Sequence, residues 1–232
     1  MFEKGKIISH RGIHDNKKVY ENTLEAFELA IKKDYIIELD IHLTKDKKIV
    51  VFHDDNTKRI TGIDKIVEQS TYQELNNQDI IYIPLLEEVL NLVKGQVPLL
   101  IELKQLYKVG ELEDNLMTIL KNYQGNYAVQ SFNPKVLYYF KKNYPYVLRG
   151  QLSCNYKNKQ LPFYQKILLK HMLLNPITKP NFISYKYNEL SLIKLNKYHK
   201  NNIPVLGWTV TNKEDYNYYI KYYDNLICEK FI

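Results

Sequence analysis

Short apolar strands alternate with amphipathic helical segments along almost all of the 232-residue sequence, and this alternation limits the possible folds more than any other feature. The predicted strands are Lys6–His10, Ile36–His42, Ile49–His53, Pro98–Lys104, Tyr127–Phe132, Val147–Leu152, Phe182–Tyr185, Pro204–Val210 and Asn225–Glu229. The predicted helices are Thr23–Lys32, Leu85–Val93, Glu111–Tyr123, Pro134–Asn143, Gln165–Leu174, Ser191–His199 and Lys213–Tyr222. Helix-start residues support several of them, namely Asn22-Thr23, Asn133-Pro134 and Thr211-Asn212. The alternation predicts an α/β fold with a parallel sheet.

One connection between predicted strands is too short for a parallel crossover. Ile36–His42 and Ile49–His53 are joined by Leu43–Lys48 alone, whereas a crossover needs roughly a dozen residues or more. These two strands are therefore predicted to form an antiparallel hairpin, which leaves eight strands that can run parallel. The count predicts a single-domain (β/α)₈ TIM barrel over residues 1–232, with a β-hairpin extension after strand 2. An open doubly wound sheet is the competing fold, but no Gly-rich phosphate-binding fingerprint follows a strand.

Composition excludes several classes of protein. With 45% apolar and 25% charged residues, the chain is neither disordered nor collagen-like. No run of about 18 apolar residues predicts a transmembrane helix, and the first residues leave no room for a secretory signal. Two cysteines, Cys154 and Cys228, do not make a disulfide framework. We therefore expect a cytoplasmic protein without stable membrane insertion, whose oligomeric state the sequence leaves open.

The net charge of +7 comes from thirty lysines spread over the chain. Arginine, which nucleic-acid readers favour in clusters, occurs only three times, as Arg11, Arg59 and Arg149. A solvated basic surface that favours anionic substrates is the preferred interpretation, and no nucleic-acid partner is expected. A nucleic-acid binder driven by lysines is the rival interpretation, which a salt-sensitive DNA shift would support.

Several carboxylates are expected at the carboxyl ends of the strands, which is where enzymes with this barrel fold have their active sites. Glu38 and Asp40 are two residues apart, so they project from the same face of one strand. Glu102 lies on the next barrel strand. Three converging carboxylates predict a divalent cation, Ca²⁺ or Mg²⁺, because both ions prefer oxygen ligands. A salt-bridge network that includes Lys104 explains the same residues about equally well.

Two histidines are expected beside these carboxylates. If the hairpin turn centres near Asp46-Lys47, the numbers of paired residues sum to about 93, which sets His53 opposite Asp40 at roughly 5 Å. A register slip of one residue would turn His53 away. His10 ends the first strand and reaches the same mouth of the barrel. Because unperturbed histidines titrate near neutrality, the pair suits an acid and a base.

The ordered set of motifs resembles the glycerophosphodiester phosphodiesterase family over almost the whole chain. The residues that carry the resemblance are His10-Arg11-Gly12, Glu21-Asn22-Thr23, Glu38-Leu39-Asp40, Val50-Val51-Phe52-His53-Asp54, Ile83-Pro84-Leu85-Leu86-Glu87-Glu88-Val89-Leu90, Ile101-Glu102-Leu103-Lys104, Val129-Gln130-Ser131-Phe132 and Gly207-Trp208-Thr209-Val210. The resemblance implies a (β/α)₈ barrel that hydrolyses a glycerophosphodiester to sn-glycerol 3-phosphate and an alcohol. The sequence departs from the family pattern at Tyr20, at Leu85 and in the last strand at Cys228-Glu229, none of which is a predicted ligand.

The resemblance also implies roles for individual residues. The metal ligands would be Glu38, Asp40 and Glu102, and the acid–base pair would be His10 and His53. The sequence leaves open which histidine is the base, and our own assignment takes His10 as the base and His53 as the acid. The substrate-binding residues would be Arg11 and Lys104 at the phosphate and Trp208 beside the glycerol carbons. For Arg11 an ion pair with Glu21 or Glu38 is the alternative interpretation. The other histidines, His14, His42, His171 and His199, are interpreted as structural.

Other activities remain as alternatives. A lysophospholipase D or a sphingomyelinase D-type phospholipase would use a similar barrel and similar residues. A non-catalytic binding barrel would have lost a ligand or a histidine, and none is lost here. The expected substrate is a soluble, deacylated diester with loose selection of the alcohol, because no long apolar insertion is present.

Overall fold

The computed structural model describes residues 3–77, 80–104 and 108–232. The strands are β1 Ile8–His10, β2 Ile36–Leu43, β3 Ile49–Val51, β4 Leu99–Leu103, β5 Tyr127–Ser131, β6 Arg149–Ser153, β7 Phe182–Lys186, β8 Val205–Val210 and β9 Asn225–Cys228. The α-helices are α1 Leu24–Lys32, α2 Lys58–Thr61, α3 Tyr72–Asn76, α4 Leu86–Val93, α5 Glu111–Leu120, α6 Pro134–Asn143, α7 Phe163–Lys170, α8 Asn175–Thr178, α9 Leu192–Lys200 and α10 Lys213–Tyr219. All nine predicted strands are present, with ends that differ by a few residues.

The order of the strands in the sheet confirms the predicted fold class. The order is β1-β9-β8-β7-β6-β5-β4-β2-β3, and β1 also pairs with β2. β2 pairs with β4 in parallel, as do successive strands from β5 to β9, whereas β3 is antiparallel to β2. This is the topology of an eight-stranded parallel (β/α)₈ barrel with one added strand, as the short connection between the second and third strands predicted.

Side-chain caps explain where the longer helices begin. The Thr23 hydroxyl accepts a hydrogen bond from the Ala26 N–H at the start of α1. Asn133 and Asn212 cap α6 and α10 in the same way, and Pro134 occupies the first position of α6. Each cap satisfies a backbone donor that has no partner inside the helix. The sequence analysis missed α2, α3 and α8, because four or five residues are too few to show helical periodicity.

The register of the β2–β3 hairpin differs by one residue from the predicted one. Ile41 pairs with Val51, and the numbers of the paired residues sum to 92 rather than about 93. A hydrogen bond from Thr44 N–H to the Lys48 carbonyl, 2.9 Å long, closes the turn between the two strands. Continuing this register places Phe52, not His53, opposite Asp40. In agreement, Phe52 N–H donates to the Asp40 carbonyl over 3.0 Å. The predicted pairing of His53 with Asp40 is therefore wrong.

The chain divides into two compact units. The amino-terminal unit comprises residues 9–127 with Ile232, and the carboxy-terminal unit comprises the residues up to Ile8 with 128–231. In the amino-terminal unit, a small apolar core covers β3 and consists of Val50, Phe52, Val67, Leu75 and Ile83. In the carboxy-terminal unit, the largest fully buried side chains include Phe140, Phe182, Tyr185 and Tyr223. The prediction that residues 1–232 form one domain stays a prediction.

Two further expectations concern the membrane and the cysteines. Within the described ranges, no helix has both the length and the apolar character that a bilayer crossing requires. Cys154 and Cys228 are both free thiols. The cytoplasmic location stays a prediction.

Gly150 in β6 is a position where the packing leaves no room for a side chain. A Cβ added there would lie 2.1 Å from the ring of Phe182, which is fully buried. We expect Gly150→Ala to lower the free energy of unfolding by about 1–3 kcal/mol, because the overpacked ring must leave its preferred rotamer. In a Phe182→Leu background, Gly150→Ala should lower the free energy of unfolding by clearly less, because the smaller side chain leaves room for the added methyl group. Urea unfolding of the four proteins gives the coupling, and equal costs in both backgrounds would contradict this account of the packing.

Candidate active site

Three carboxylates meet on adjacent strands of the amino-terminal unit. Glu38 and Asp40 lie two residues apart on β2, and Asp40 is directly opposite Glu102 in the β2–β4 register. All three are buried, with Glu38 and Asp40 only 1% exposed. One oxygen from each carboxylate lies within 4.8 Å of one from each of the others. The strand alternation that puts Leu39 on the opposite face therefore brings these acids together, as the sequence predicted.

Two cations lie against this cluster. Lys104 Nζ is 2.5 Å from Glu102 Oε1 and 3.1 Å from Asp40 Oδ1. The side-chain Nε of Arg11 is 3.2 Å from Asp40 Oδ2. The backbone N–H of Arg11 donates to Glu38 Oε2 over 3.1 Å. The salt-bridge network considered as an alternative to a metal site is thus present, and it includes Arg11 as well as Lys104.

Burial and the charges in the cluster shift the pKa values of the three carboxyl groups in different directions. Burial and the neighbouring charges of Asp40 and Glu102 hold the pKa of Glu38 well above its usual range. Burial also raises the pKa of Glu102, although the charge of Lys104 opposes it. For Asp40 the charges of Lys104 and Arg11 outweigh burial and hold the pKa well below its usual range. Asp40 is therefore the carboxylate that the two cations satisfy, whereas burial and the neighbouring carboxylates disfavour the ionised form of Glu38.

A turn in the left-handed backbone region brings Arg11 to the cluster. Arg11 has φ of 58° and Gly12 has φ of 80°. A Cβ at Gly12 would lie 2.8 Å from the backbone of Ala26 in α1, so only glycine fits there. Asn22, with φ of 57°, closes the turn by donating its N–H to the Arg11 carbonyl over 3.0 Å, and its side-chain amide donates to Asp40 Oδ2 over 2.9 Å. Left-handed conformations of non-glycine residues persist where surrounding contacts fix them, as here.

A second set of ion pairs links Arg11 to His53. Glu21 accepts from Arg11 over 2.7 Å and from both terminal nitrogens of Arg59 over 2.6 and 3.0 Å. Arg59 Nε also donates to Asp54 Oδ2 over 2.6 Å, and Asp54 Oδ1 lies 2.5 Å from His53 Nδ1. The orientation of the His53 ring is thereby set by a carboxylate that is itself held by an arginine.

Both predicted catalytic histidines lie near Asp40. A positive charge on either His53 or His10 would help to lower the pKa of Asp40. Burial lowers the pKa of His53 to about 4; the negative charge of Asp40 opposes this shift and the positive charge of Lys104 adds to it. His10 is the last residue of β1 and is half-buried. His53 reaches the cluster from the segment after β3, even though the hairpin register does not pair it with Asp40.

The donor set of the cluster fits a hard divalent cation. Oxygen atoms within 4.8 Å of one another can share an ion at the 2.0–2.6 Å distances typical of Mg²⁺ and Ca²⁺. When all three carboxylates are ionised, they carry one more charge than Lys104 and Arg11 can neutralise, and burial together with this excess raises the pKa values of Glu38 and Glu102. A divalent ion would remove this excess and leave net positive charge for an anionic ligand. Glu38, Asp40 and Glu102 are the residues that could hold it.

Trp208 lies on β8 in the carboxy-terminal unit. Its ring packs edge-on against Phe132, with the ring centroids 5.6 Å apart. The buried indole Nε1–H has no hydrogen-bond acceptor in the part of the chain that the structure describes. Trp208 thus offers an apolar ring face and one N–H group that could donate a hydrogen bond to a ligand.

The sequence analysis assigned no individual role in the site to Asn22, Asp54 or Arg59. Asn22 was noted only within a motif and at a helix start, and Asp54 only within another motif. The ion pair of Arg11 with Glu21, considered as an alternative role for Arg11, is present. Arg59 was set aside as one of three arginines. Its signal was the rarity of arginine in a lysine-rich chain, because arginine is the residue that binds two carboxylates at once.

The ion pairs of Glu21 predict an acid-sensitive contribution to stability. Burial opposes ionisation, but the hydrogen bonds from Arg59 and the charge of Arg11 lower the pKa of Glu21 to about 2, from an ordinary value of 4.5. Because the folded pKa is the lower one, the stabilisation is complete above about pH 5 and is lost as the pH falls towards 2. We expect Glu21→Gln to lower the free energy of unfolding by about 1–3 kcal/mol near pH 7 and by much less near pH 3. Urea unfolding of both proteins over this range measures it, and a difference that does not change with pH would refute the assignment.

The chain matches known proteins over nearly its whole length. Residues 10–229 match the model of the Glycerophosphoryl diester phosphodiesterase family. A glycerophosphodiester phosphodiesterase from Caldanaerobacter subterraneus subsp. tengcongensis is 31% identical over 235 residues, which covers 94% of this chain and 90% of that relative.

Solved structures agree with this match. A glycerophosphodiester phosphodiesterase from Thermotoga maritima superposes with a TM-score of 0.77 at 27% identity, covering 98% of this chain and 96% of that one. A phosphodiesterase from Oleispira antarctica, solved with the product sn-glycerol-3-phosphate, has the same fold, with a TM-score of 0.82 at 20% identity over 97% of this chain and 93% of that one. With the motif residues clustered as described, the chain belongs to the glycerophosphoryl diester phosphodiesterase family and is an enzyme that hydrolyses glycerophosphodiesters.

Proposed function

We propose that the enzyme is a divalent-metal-dependent phosphodiesterase that releases sn-glycerol 3-phosphate and an alcohol by acid–base catalysis with His10 and His53. The observation that carries this proposal is the buried cluster of Glu38, Asp40 and Glu102, whose oxygens lie within 4.8 Å of one another. The product found in the Oleispira relative supports the choice of sn-glycerol 3-phosphate.

The substrate phosphate is proposed to bind against Arg11 and Lys104. Both side chains already contact Asp40, so they are held rigidly at the edge of the acidic cluster. Fixed positive charge stabilises the negative charge that builds up on the phosphoryl oxygens in the transition state. A bound Ca²⁺ or Mg²⁺ would add charge stabilisation at the same place. Trp208 would cover the glycerol carbons with its ring.

The two histidines are proposed to move protons on opposite sides of the phosphorus. Asp54 holds His53 Nδ1, so Nε2 of the neutral ring carries a lone pair that can accept a proton from the attacking hydroxyl. The lowered pKa of His53 keeps the ring neutral near pH 7 before the substrate binds. We therefore assign His53 as the base and His10 as the acid that protonates the leaving alkoxide, which reverses the order expected from the sequence. The attacking group is either water or the glycerol 2-hydroxyl, the latter giving a cyclic phosphate.

Activity with and without chelator tests the proposal directly. The enzyme should release glycerol 3-phosphate and choline from glycerophosphocholine when Ca²⁺ or Mg²⁺ is present, and excess EDTA should stop turnover. Glu38→Gln, which keeps the size of the side chain, should weaken calorimetric binding of the ion by about 100-fold or more, because it removes a charged ligand. Glu87→Gln on α4 is a matched control that should bind the ion normally.

Full activity of the metal-free enzyme in excess chelator would disprove the metal requirement. Lysophosphatidylcholine provides the control for substrate class. A preference for it by about 100-fold in kcat/KM, or about 2.7 kcal/mol, would move the enzyme to the lysophospholipase D alternative.

A substrate with a good leaving group distinguishes the two histidines. His10→Ala and His53→Ala should each lower kcat for glycerophosphocholine by about 10²–10⁴. A nitrophenyl ester of glycerol phosphate needs no proton on its leaving oxygen, so His10→Ala should lose much less activity on this ester, whereas His53→Ala should lose as much as before. Metal binding by both variants serves as the folding control. Equal losses on both substrates for both variants would contradict the assigned roles, and wild-type kcat in either would remove that histidine from the mechanism.

A further inference from the structure

Acidic residues are absent from a long part of the sequence. Residues 115–188 contain no Asp or Glu, although the chain has 26 of them elsewhere. The same segment contains eleven cationic residues, namely Lys121, Lys135, Lys141, Lys142, Arg149, Lys157, Lys159, Lys166, Lys170, Lys179 and Lys186. The net charge of +7 is therefore not spread evenly, and this part of the chain is strongly basic.

Helix α7 lies in this segment and exposes apolar side chains. None of its eight residues is buried, although five of them are apolar or aromatic. Phe163 is 78% exposed and Tyr164 66% exposed, and Ile167 lies one turn after Phe163. Leu173 and Ile177, which follow the helix, are 58% and 54% exposed. Five large apolar side chains are thus exposed within 15 residues of the sequence, and exposed apolar side chains that form one patch are typical of an interaction site.

An open apolar pocket of about 410 Å³ lies beside α7. It is lined by Leu161, Leu168 and Leu169 together with Phe132 and Tyr156. No residue of α7 is fully buried, so burial of its outer side chains against a partner would add apolar contacts that the fold itself does not provide.

Lysines without acidic partners lie close in sequence to the exposed apolar side chains. Lys166 and Lys170 lie on α7, and Lys157 and Lys159 lie in the connection that precedes it. None of the four forms an ion pair within the described ranges of the chain. Their charge is thus free to attract an anionic surface.

We infer that the α7 surface, defined as Phe163, Tyr164, Ile167, Leu173 and Ile177 with these four lysines, docks reversibly on an anionic lipid bilayer. Lysines would contact the headgroups while the aromatic and aliphatic side chains enter the interface, as in amphipathic interfacial helices. A nucleic acid would match the charge, but it would not bury isoleucine and leucine side chains. Arg149, the single arginine of the segment, is itself buried.

This docking is independent of the catalytic proposal. The α7 surface shares no residue with the carboxylate cluster, its cations or the two histidines. It also requires no spanning helix, since the side chains would reach only the headgroup boundary, roughly 5–10 Å deep.

Sedimentation with vesicles tests the inference. The wild-type enzyme should bind vesicles containing roughly one third phosphatidylglycerol at least tenfold more tightly than vesicles of phosphatidylcholine alone, and added salt should weaken this binding. Phe163→Ser/Ile167→Ser should lower binding to the anionic vesicles by about tenfold or more, because two interfacial side chains are lost. Lys157→Glu/Lys159→Glu should lower it similarly, and with a smaller salt dependence.

The matched control is Ile63→Ser/Ile66→Ser, two isoleucines of the amino-terminal unit that are 44% and 39% exposed. This variant should bind vesicles like the wild type, and all the variants should keep wild-type turnover of glycerophosphocholine. Equal binding to both kinds of vesicle, or wild-type binding by Phe163→Ser/Ile167→Ser, would overturn the inference. The inference would also be overturned if the enzyme did not bind the vesicles but gave a salt-sensitive mobility shift of duplex DNA or RNA.

Discussion

The site depends on the burial of three carboxylates beside two cations, Lys104 and Arg11. Ionised groups removed from water cost several kcal/mol each unless opposite charges and hydrogen bonds compensate them. Lys104 and Arg11 compensate Asp40, whereas burial raises the pKa of Glu38 and Glu102. With all three carboxylates ionised, the cluster would be one positive charge short. This imbalance is what makes a divalent cation the chemically fitting occupant.

The ion pairs outside the cluster transmit this arrangement to the catalytic side chains. Glu21 joins Arg11 to Arg59, and Asp54 joins Arg59 to His53. A single network of alternating charges therefore fixes the proposed phosphate ligand and one proposed proton carrier. Residues so connected are expected to act as a unit, so their substitutions should not be additive. Preorganisation of this kind reduces the reorganisation that the reaction requires.

The sequence predicted the strands and the carboxylate cluster because both follow from regular periodicity. Alternation on β2 necessarily places Glu38 and Asp40 on one face. The hairpin register was missed by one residue, since it depends on the hydrogen bonds of Thr44 within the turn, which no periodicity encodes. The link through Arg59 was also missed, because it joins residues far apart in the sequence. Contacts of this type arise from tertiary packing and cannot be read from local patterns.

Diffraction at the manganese absorption edge, from crystals of the enzyme soaked in Mn²⁺, tests the central claim most directly. Mn²⁺ binds the same oxygen ligands as Mg²⁺ and Ca²⁺ and scatters anomalously. The account predicts a strong anomalous peak bound by oxygens of Glu38, Asp40 and Glu102, at roughly 2.0–2.6 Å from each. Crystals with the three carboxylates still paired to Lys104 and Arg11, and with no anomalous peak among them, would contradict it.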